Sequence, residues 1–255
     1  MGKTAAFFRL VGAARVFARH DALVPEEFRD QIPFSARLGA RLLRLTTFGG
    51  GKGGRLGERF TAALGELGPS YVKLGQFLAT RPDIVGKALA GDLAALQDRM
   101  PPFPQAEAKA MVAAELGKPA DTLFESFSEP VAAASIAQVH RARAAGRDVA
   151  VKVLRPDIEG RFRRDLEAFY LAARLAERFA PASRRLRPVA FVDTLAASVR
   201  EEMDLRLEAS AAAELAERTK GDAGFRVPRI EWELTAKRVL TSEWIDALPL
   251  RDPAA

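Results

Sequence analysis

The run Val149-Ala150-Val151-Lys152-Val153 sets a single lysine among valines. Side chains alternate along a strand, so Ala150 and Lys152 share one face and the three valines share the other. A valine face packs into a sheet core. The opposite face then presents a small side chain beside an ammonium, the pair a nucleotide can use: adenine lies flat over the small residue and the phosphates meet the lysine. Taken alone, the run reads first as a strand with one solvent-facing lysine.

Its surroundings carry more. One hairpin upstream, Pro130-Val131-Ala132-Ala133-Ala134-Ser135 lies between two strand-like runs, where a protein kinase carries a glycine-rich loop over the phosphates. Alanine does not take up glycine's positive φ cheaply, so a turn built on Ala132, Ala133, Ala134 and Ser135 is expected to be stiffer. Downstream, Glu201, Glu202, Asp204 and Glu208 lie in one helical stretch. On a continuous helix Asp204 and Glu208 are a turn apart on a common face, and Glu202 points away. One such carboxylate can fix a strand lysine toward phosphate, although a solvated acidic face has the same spacing.

These groups need a scaffold, and the texture of the chain supplies one. Residues 1–48 read as a basic helical segment, 49–57 as a glycine-rich linker, 58–122 as a helical extension and 123–255 as a small antiparallel sheet with inserted helices. Strand-like runs fall at Leu123–Phe127, Ser135–Arg143, Arg147–Leu154 and Arg238–Trp244, and Ala144-Ala145-Gly146 makes a hairpin turn. Long helical stretches are expected near Gly160–Ala180 and Val189–Thr219.

Composition narrows the function. There is no cysteine and there are two histidines, His20 and His140. Thiolate chemistry is thereby excluded, and a histidine-rich metal site or a Ser-His-Asp triad is poorly supported. The net charge of +6 is spread over arginines interleaved with acids, and no basic–aromatic stripe marks a nucleic-acid surface. No apolar run reaches the ~20 residues needed to span a bilayer. The first twenty residues read as a surface helix packed on the body, with a helix lying on anionic lipid as the alternative. The expected location is the cytoplasm, with peripheral attachment to the inner membrane face as a further option.

Leu67-Gly68-Pro69-Ser70-Tyr71-Val72-Lys73-Leu74-Gly75-Gln76-Phe77 resembles the KxGQ signature of UbiB-type (AarF-type) atypical kinases, the ubiquinone-associated family. Ala132 to His140 is similar to that family's alanine-rich loop and following strand, Val149 to Lys152 to its nucleotide lysine, and Glu202-Met203-Asp204 to its ExD motif. The four motifs occur in the family's order, from about Leu56 to the end of the chain.

The resemblance implies an α+β fold: a kinase-like N-lobe of about five antiparallel strands with an αC-type helix, preceded by the helical KxGQ extension. It implies that Lys152 pairs with Glu208, and that ATP or ADP lies against Ala132, Ala133, Ala134, Ser135, Ala150 and Lys152. Val239 to Asp246 resembles the last lobe strand and hinge, which brings Glu243 and Ile245 to the nucleotide. Lys73 and Gln76 are implied to form a regulatory gate with Glu202 and Asp204, and Gly75 is expected to admit another backbone closely. Ala211 stands where the family often carries asparagine.

No H-x-D or D-F-G segment and no asparagine occurs in these residues, and kinases place the catalytic acid and magnesium ligands there. The chain is therefore expected to be an N-lobe without its C-lobe, binding ATP, with magnesium only in a longer protein, and catalytically incompetent by itself. Membrane lipid, ubiquinone precursors and ubiquinone-biosynthesis proteins are further implied partners. A non-enzymatic lipid- or partner-binding module derived from the same lobe is the alternative.

Overall fold

The computed structural model describes residues 2–22, 55–94, 96 and 100–247. Residues 23–54, which hold most of the expected basic segment and the glycine tract, lie outside the described residues, as do residues 248–255. In chain order the elements are α1 (Lys3–Arg19), α2 (Leu56–Leu67), α3 (Pro69–Ala79), α4 (Pro82–Val85), α5 (Lys87–Ala94), α6 (Gln105–Leu116) and α7 (Ala120–Leu123). Then follow β1 (Ser126–Ala133), β2 (Ala137–Ala144), β3 (Arg147–Leu154), α8 (Ile158–Phe179), α9 (Pro188–Glu202), α10 (Leu205–Arg218) and β4 (Val239–Glu243), with 3₁₀ turns at Pro181–Leu186 and Trp232–Leu234.

The chain folds into two compact units, residues 1–100 with 157–198, and residues 101–156 with 199–255. The boundary falls at 100/101 rather than at the expected 122/123, and Leu56 and Gly57, assigned from the sequence to the linker, already belong to α2. Residues 157–198 join the helical unit because the inward face of α8 is apolar: Phe162, Ala168 and Phe169 are buried. Tyr71 of α3 meets Phe169 edge-on at 4.9 Å, and Arg9 of α1 reaches Asp165 at 3.0 Å. Burying a side chain the size of Phe162 contributes about 1.5–3 kcal/mol.

A tight corner joins α2 to α3. Gly68 takes φ +96°, and a Cβ there would lie 2.3 Å from the guanidinium of Arg161, which donates to the Leu67 carbonyl at 2.9 Å. Only glycine meets both demands. At Gly75 the expectation needs correcting. What approaches is not another backbone but the side chains of Leu64 and Leu96, each 2.6 Å from where a Cβ would sit.

In the second unit β1, β2, β3 and β4 form one antiparallel sheet in that order. About five strands were expected. Beside β4 isolated bridges, Ile230 to Ser242 and Ala236 to Val239, stand where a fifth would run. Leu123, expected to open the first strand, instead closes α7, and β1 starts at Ser126. The β2–β3 hairpin turns on Ala145 and Gly146, at φ 48° and 73°. Positive φ at both central residues matches the twist of the strands they join.

The alternation read from the sequence holds from Val149 to Val153, and ends at Leu154, which is buried although it shares the face of Lys152. Val149, Val151 and Val153 are 0–1 % exposed and pack with Val239 of β4 and with Ala108 and Val112 of α6. Glu115 of α6 ties that helix to the start of β4, accepting from the Arg238 backbone N–H at 3.0 Å and from its guanidinium at 2.8 Å. Among the described residues no helix is long and apolar enough to cross a membrane.

Candidate nucleotide site

Lys152 stands mid-strand, opposite Val139 on β2 and Leu240 on β4, and Ala150 stands opposite Arg141 and Ser242. Cross-strand partners share a face, so these residues make the surface turned away from the valine core. From that surface Lys152 Nζ donates to both oxygens of Glu208, at 2.9 and 2.7 Å, across a sequence separation of 56. Glu208 is placed by the first turn of α10, which buries Leu205 and Ala209 on either side of it. The two side chains are 29 % and 50 % exposed. A pair so open contributes only about 0.2–1 kcal/mol, so it holds the ammonium in place more than it holds the fold together.

The alanine-rich segment is shorter as a turn than the sequence suggests. Ala132 and Ala133 still pair with Val139 and Gln138 as the end of β1. The turn proper is Ala134, Ser135 and Ile136, closed by the Ala134 N–H donating to the Ala137 carbonyl at 2.8 Å. The three alanines keep negative φ, and Ser135 is 2 % exposed. The turn can therefore present only a fixed backbone edge. It is held from behind by Arg155, which sequence reasoning missed. Its guanidinium donates twice to the Ala134 carbonyl, at 3.2 and 3.0 Å. The available signal was a cation directly after the lysine strand and before Pro156, where the chain must turn.

The acidic stretch also differs from its expected form. Glu202 ends α9, and Asp204 begins α10 as its N-cap, accepting from the Arg206 N–H at 3.2 Å. The helix breaks because the Leu205 N–H donates to the Lys237 carbonyl at 2.9 Å, where helix continuation would use Glu201. Asp204 and Glu208 therefore do not share one continuous helix with Glu202. Asp204 is also gripped by Arg206, at 2.8 and 2.6 Å, which holds its carboxyl below the usual carboxylate range.

At the end of β4, where the resemblance places the hinge, Glu243 lies on the valine face, opposite Val149. Its carboxylate meets Arg226, which holds its pKa down. The N–H groups of Glu243 and Trp244 already donate to the Arg229 and Asp148 carbonyls, at 2.8 and 3.2 Å. A hinge contact through an N–H group would fall to Ile245, which is 39 % exposed. Arg141 lies over the Trp244 ring at 5.0 Å and marks the outer end of this face. Lys73 and Gln76 stand on α3 in the first unit, where Gln76 donates to the Leu96 carbonyl at 3.4 Å.

On the opposite face of β2, His140 is fully buried. Its Nδ1–H donates to the Ser128 carbonyl at 2.8 Å, and its Nε2 accepts from Gln138 Nε2 at 2.9 Å. These contacts fit the neutral ring, and burial lowers its pKa below 6.5. The unfolded chain takes up that proton first. Stability from this site is therefore complete above about pH 6.5 and is lost as pH falls through it toward the lower folded value. Urea unfolding at pH 7.5 and 5.5 is expected to show a steeper acid loss for the native chain than for His140→Gln. Equal losses would dismiss the histidine as their source.

A lysine–glutamate pair on the open face of a four-stranded antiparallel sheet, with a small-residue turn one hairpin upstream, defines a kinase-like small lobe. The family comparison agrees: residues 95–255 match the ABC1 atypical kinase-like domain, and the chain belongs to that family. It is 42 % identical over 201 residues to the "Probable protein kinase UbiB" of Marinobacter nauticus, covering 78 % of this chain and 37 % of that protein. Its identity to the protein of the same description from Aeromonas hydrophila is 40 % over 238 residues, covering 92 % and 43 %. The chain thus spans about two fifths of the length of these curated relatives. Among solved structures it resembles the Rv3197–erythromycin complex of Mycobacterium tuberculosis, at 28 % identity over 85 % of this chain and 52 % of that one, with a TM-score of 0.44.

Proposed function

We propose that residues 101–156 and 199–247 form the nucleotide-binding lobe of an ATP-dependent atypical kinase or ATPase that supports ubiquinone biosynthesis. The observation carrying this reading is the two-oxygen grip of Glu208 on Lys152, on the face that also offers Ala150. In this reading Lys152 binds the phosphates and Glu208 keeps it aimed at them. The turn at Ala134–Ile136 covers the phosphates, with Ala132, Ala133 and Ser135 setting its edge. Ala150 faces adenine, and the hinge at Glu243–Ile245 borders it. Magnesium would neutralise the phosphate charge, and the carboxylates and amide that ordinarily hold it belong to segments these 255 residues do not contain. The regulatory role that the resemblance gives Lys73, Gln76, Glu202 and Asp204 is part of the proposal and rests on the sequence motifs alone. So do the ubiquinone pathway and peripheral membrane attachment.

Hydrogen exchange with and without millimolar ATP tests the site. Amides of residues 132–136 and 150–153 are expected to gain protection while the ATP is recovered intact. Protection confined to other segments would overturn the assignment of the site, and ATP hydrolysis lost in Lys152→Ala would overturn the expectation that these residues bind without turnover.

A further inference from the structure

Resting on the nucleotide-site reading above, we infer that Arg155 is a positioning residue that fixes the height of the alanine turn over the phosphates, although it touches no ligand itself. Three contacts converge on it. Its guanidinium forks onto the Ala134 carbonyl, at 3.2 and 3.0 Å. Its backbone N–H donates to the Ile136 carbonyl at 2.8 Å, so both ends of the turn hang from one residue. Its guanidinium carbon also lies 5.7 Å from the centre of the Phe103 ring.

Phe103 is itself anchored. The side-chain amide of Gln138, fully buried, accepts from the Phe103 N–H at 2.9 Å and donates to the Phe103 carbonyl at 3.2 Å. Gln138 continues to His140 and through it to the Ser128 carbonyl of β1. The brace thus runs from the turn through Arg155, Phe103, Gln138 and His140 back to the strand that enters the turn.

The chemistry of the turn gives this brace its purpose. A glycine-rich loop settles onto phosphate by changing its own dihedrals. A turn of alanines at negative φ has far less freedom, so its position must be supplied from outside. A planar cation with several fixed donors suits that task, because it can fork onto one carbonyl while stacking on an aromatic ring. Lysine, with a compact ammonium on a flexible stem, does neither. The brace acts only where the turn acts, at the phosphates, and leaves the adenine face at Ala150 untouched.

Binding of ATP and of adenosine to the protein, by calorimetry, separates this role from plain stabilisation. Arg155→Ala is expected to weaken ATP about tenfold, the scale of losing a charge-assisted fork, and to leave adenosine affinity within about twofold. Arg155→Lys should restore less than half of the loss on a logarithmic scale, and Phe103→Leu should move ATP affinity the same way by a smaller factor. Should Arg155→Ala fail to fold, Arg155→Lys and Phe103→Leu carry the test. Equal losses for ATP and adenosine would make Arg155 merely structural, and unchanged ATP affinity in all three variants would remove the brace. Lys152→Ala in the same assay keeps the two readings distinct. If it binds ATP like the native protein, the site itself is misassigned. If it loses ATP while the Arg155 variants do not, the brace alone fails.

Discussion

Lys152→Ala is expected to lower the ATP affinity of the protein by about a hundredfold, the scale of removing one preorganised charge partner of a phosphate oxygen. Thermal unfolding should change little. The pair it breaks is open to solvent on both sides and contributes about 1 kcal/mol or less to stability. Glu208→Gln should produce a smaller loss, about tenfold, because the ammonium survives but swings free of its two-oxygen grip. The double variant should then fall well short of the product of the two single losses, since both remove the same aimed charge. Full additivity would show that Glu208 acts elsewhere. A collapse in stability on Lys152→Ala would show that the pair belongs to the fold rather than to a ligand.

One residue earlier, the opposite outcome is expected. Val151 is fully buried and packs in the core between the sheet and α6. Val151→Asp would place a carboxylate among Val112, Val149, Val153 and Val239, with Thr241 and the buried neutral His140, already hydrogen-bonded at both ring nitrogens, as its cross-strand neighbours. Burying an unpaired charge of this kind costs several kcal/mol, enough to unfold a lobe of ordinary stability. Circular dichroism and urea unfolding should show the strands lost, and nucleotide binding with them. A folded Val151→Asp protein would mean that the valine face is not the core. The contrast between adjacent residues tests the two-faced reading of β3 directly, because the substitutions differ by 3.3 Å along the strand, about one residue rise.

That two-faced reading was available from the sequence because a strand's period is 2, and five alternating residues suffice to assign both faces. The link from Lys152 to Glu208 came from resemblance, since nothing local in either segment selects a partner 56 residues away. The features that stayed hidden share one cause: each is decided by a contact remote in sequence. The Met203–Asp204 break depends on the Lys237 carbonyl drawing away the Leu205 N–H, while the local pattern of Arg200 to Ala209 remains that of an uninterrupted helix. Arg155 gains its meaning from Ala134, and Gln138 from the backbone of Phe103. The amphipathic pattern of α8 announces a buried stripe but not which body it will be buried against. Alanine at 132–134 was informative in a different way. Its stiffness was readable from the residue type, whereas its bracing was not.

The first unit is assembled from two pieces of chain, residues 1–100 and 157–198, with β1 to β3 threaded between them. During synthesis this order matters. A ribosome adding about 5–20 residues per second needs roughly 3–13 s to pass from Met100 to Asp165. Throughout that interval α1 lacks the partner that will take Arg9, and Tyr71 lacks Phe169. The hairpin β2–β3, whose contacts are local, can form meanwhile. Apolar faces of the helices that precede β1 thus stay uncovered while the first three strands are made. A nascent chain of this design asks for protection at its first helices rather than at its strands.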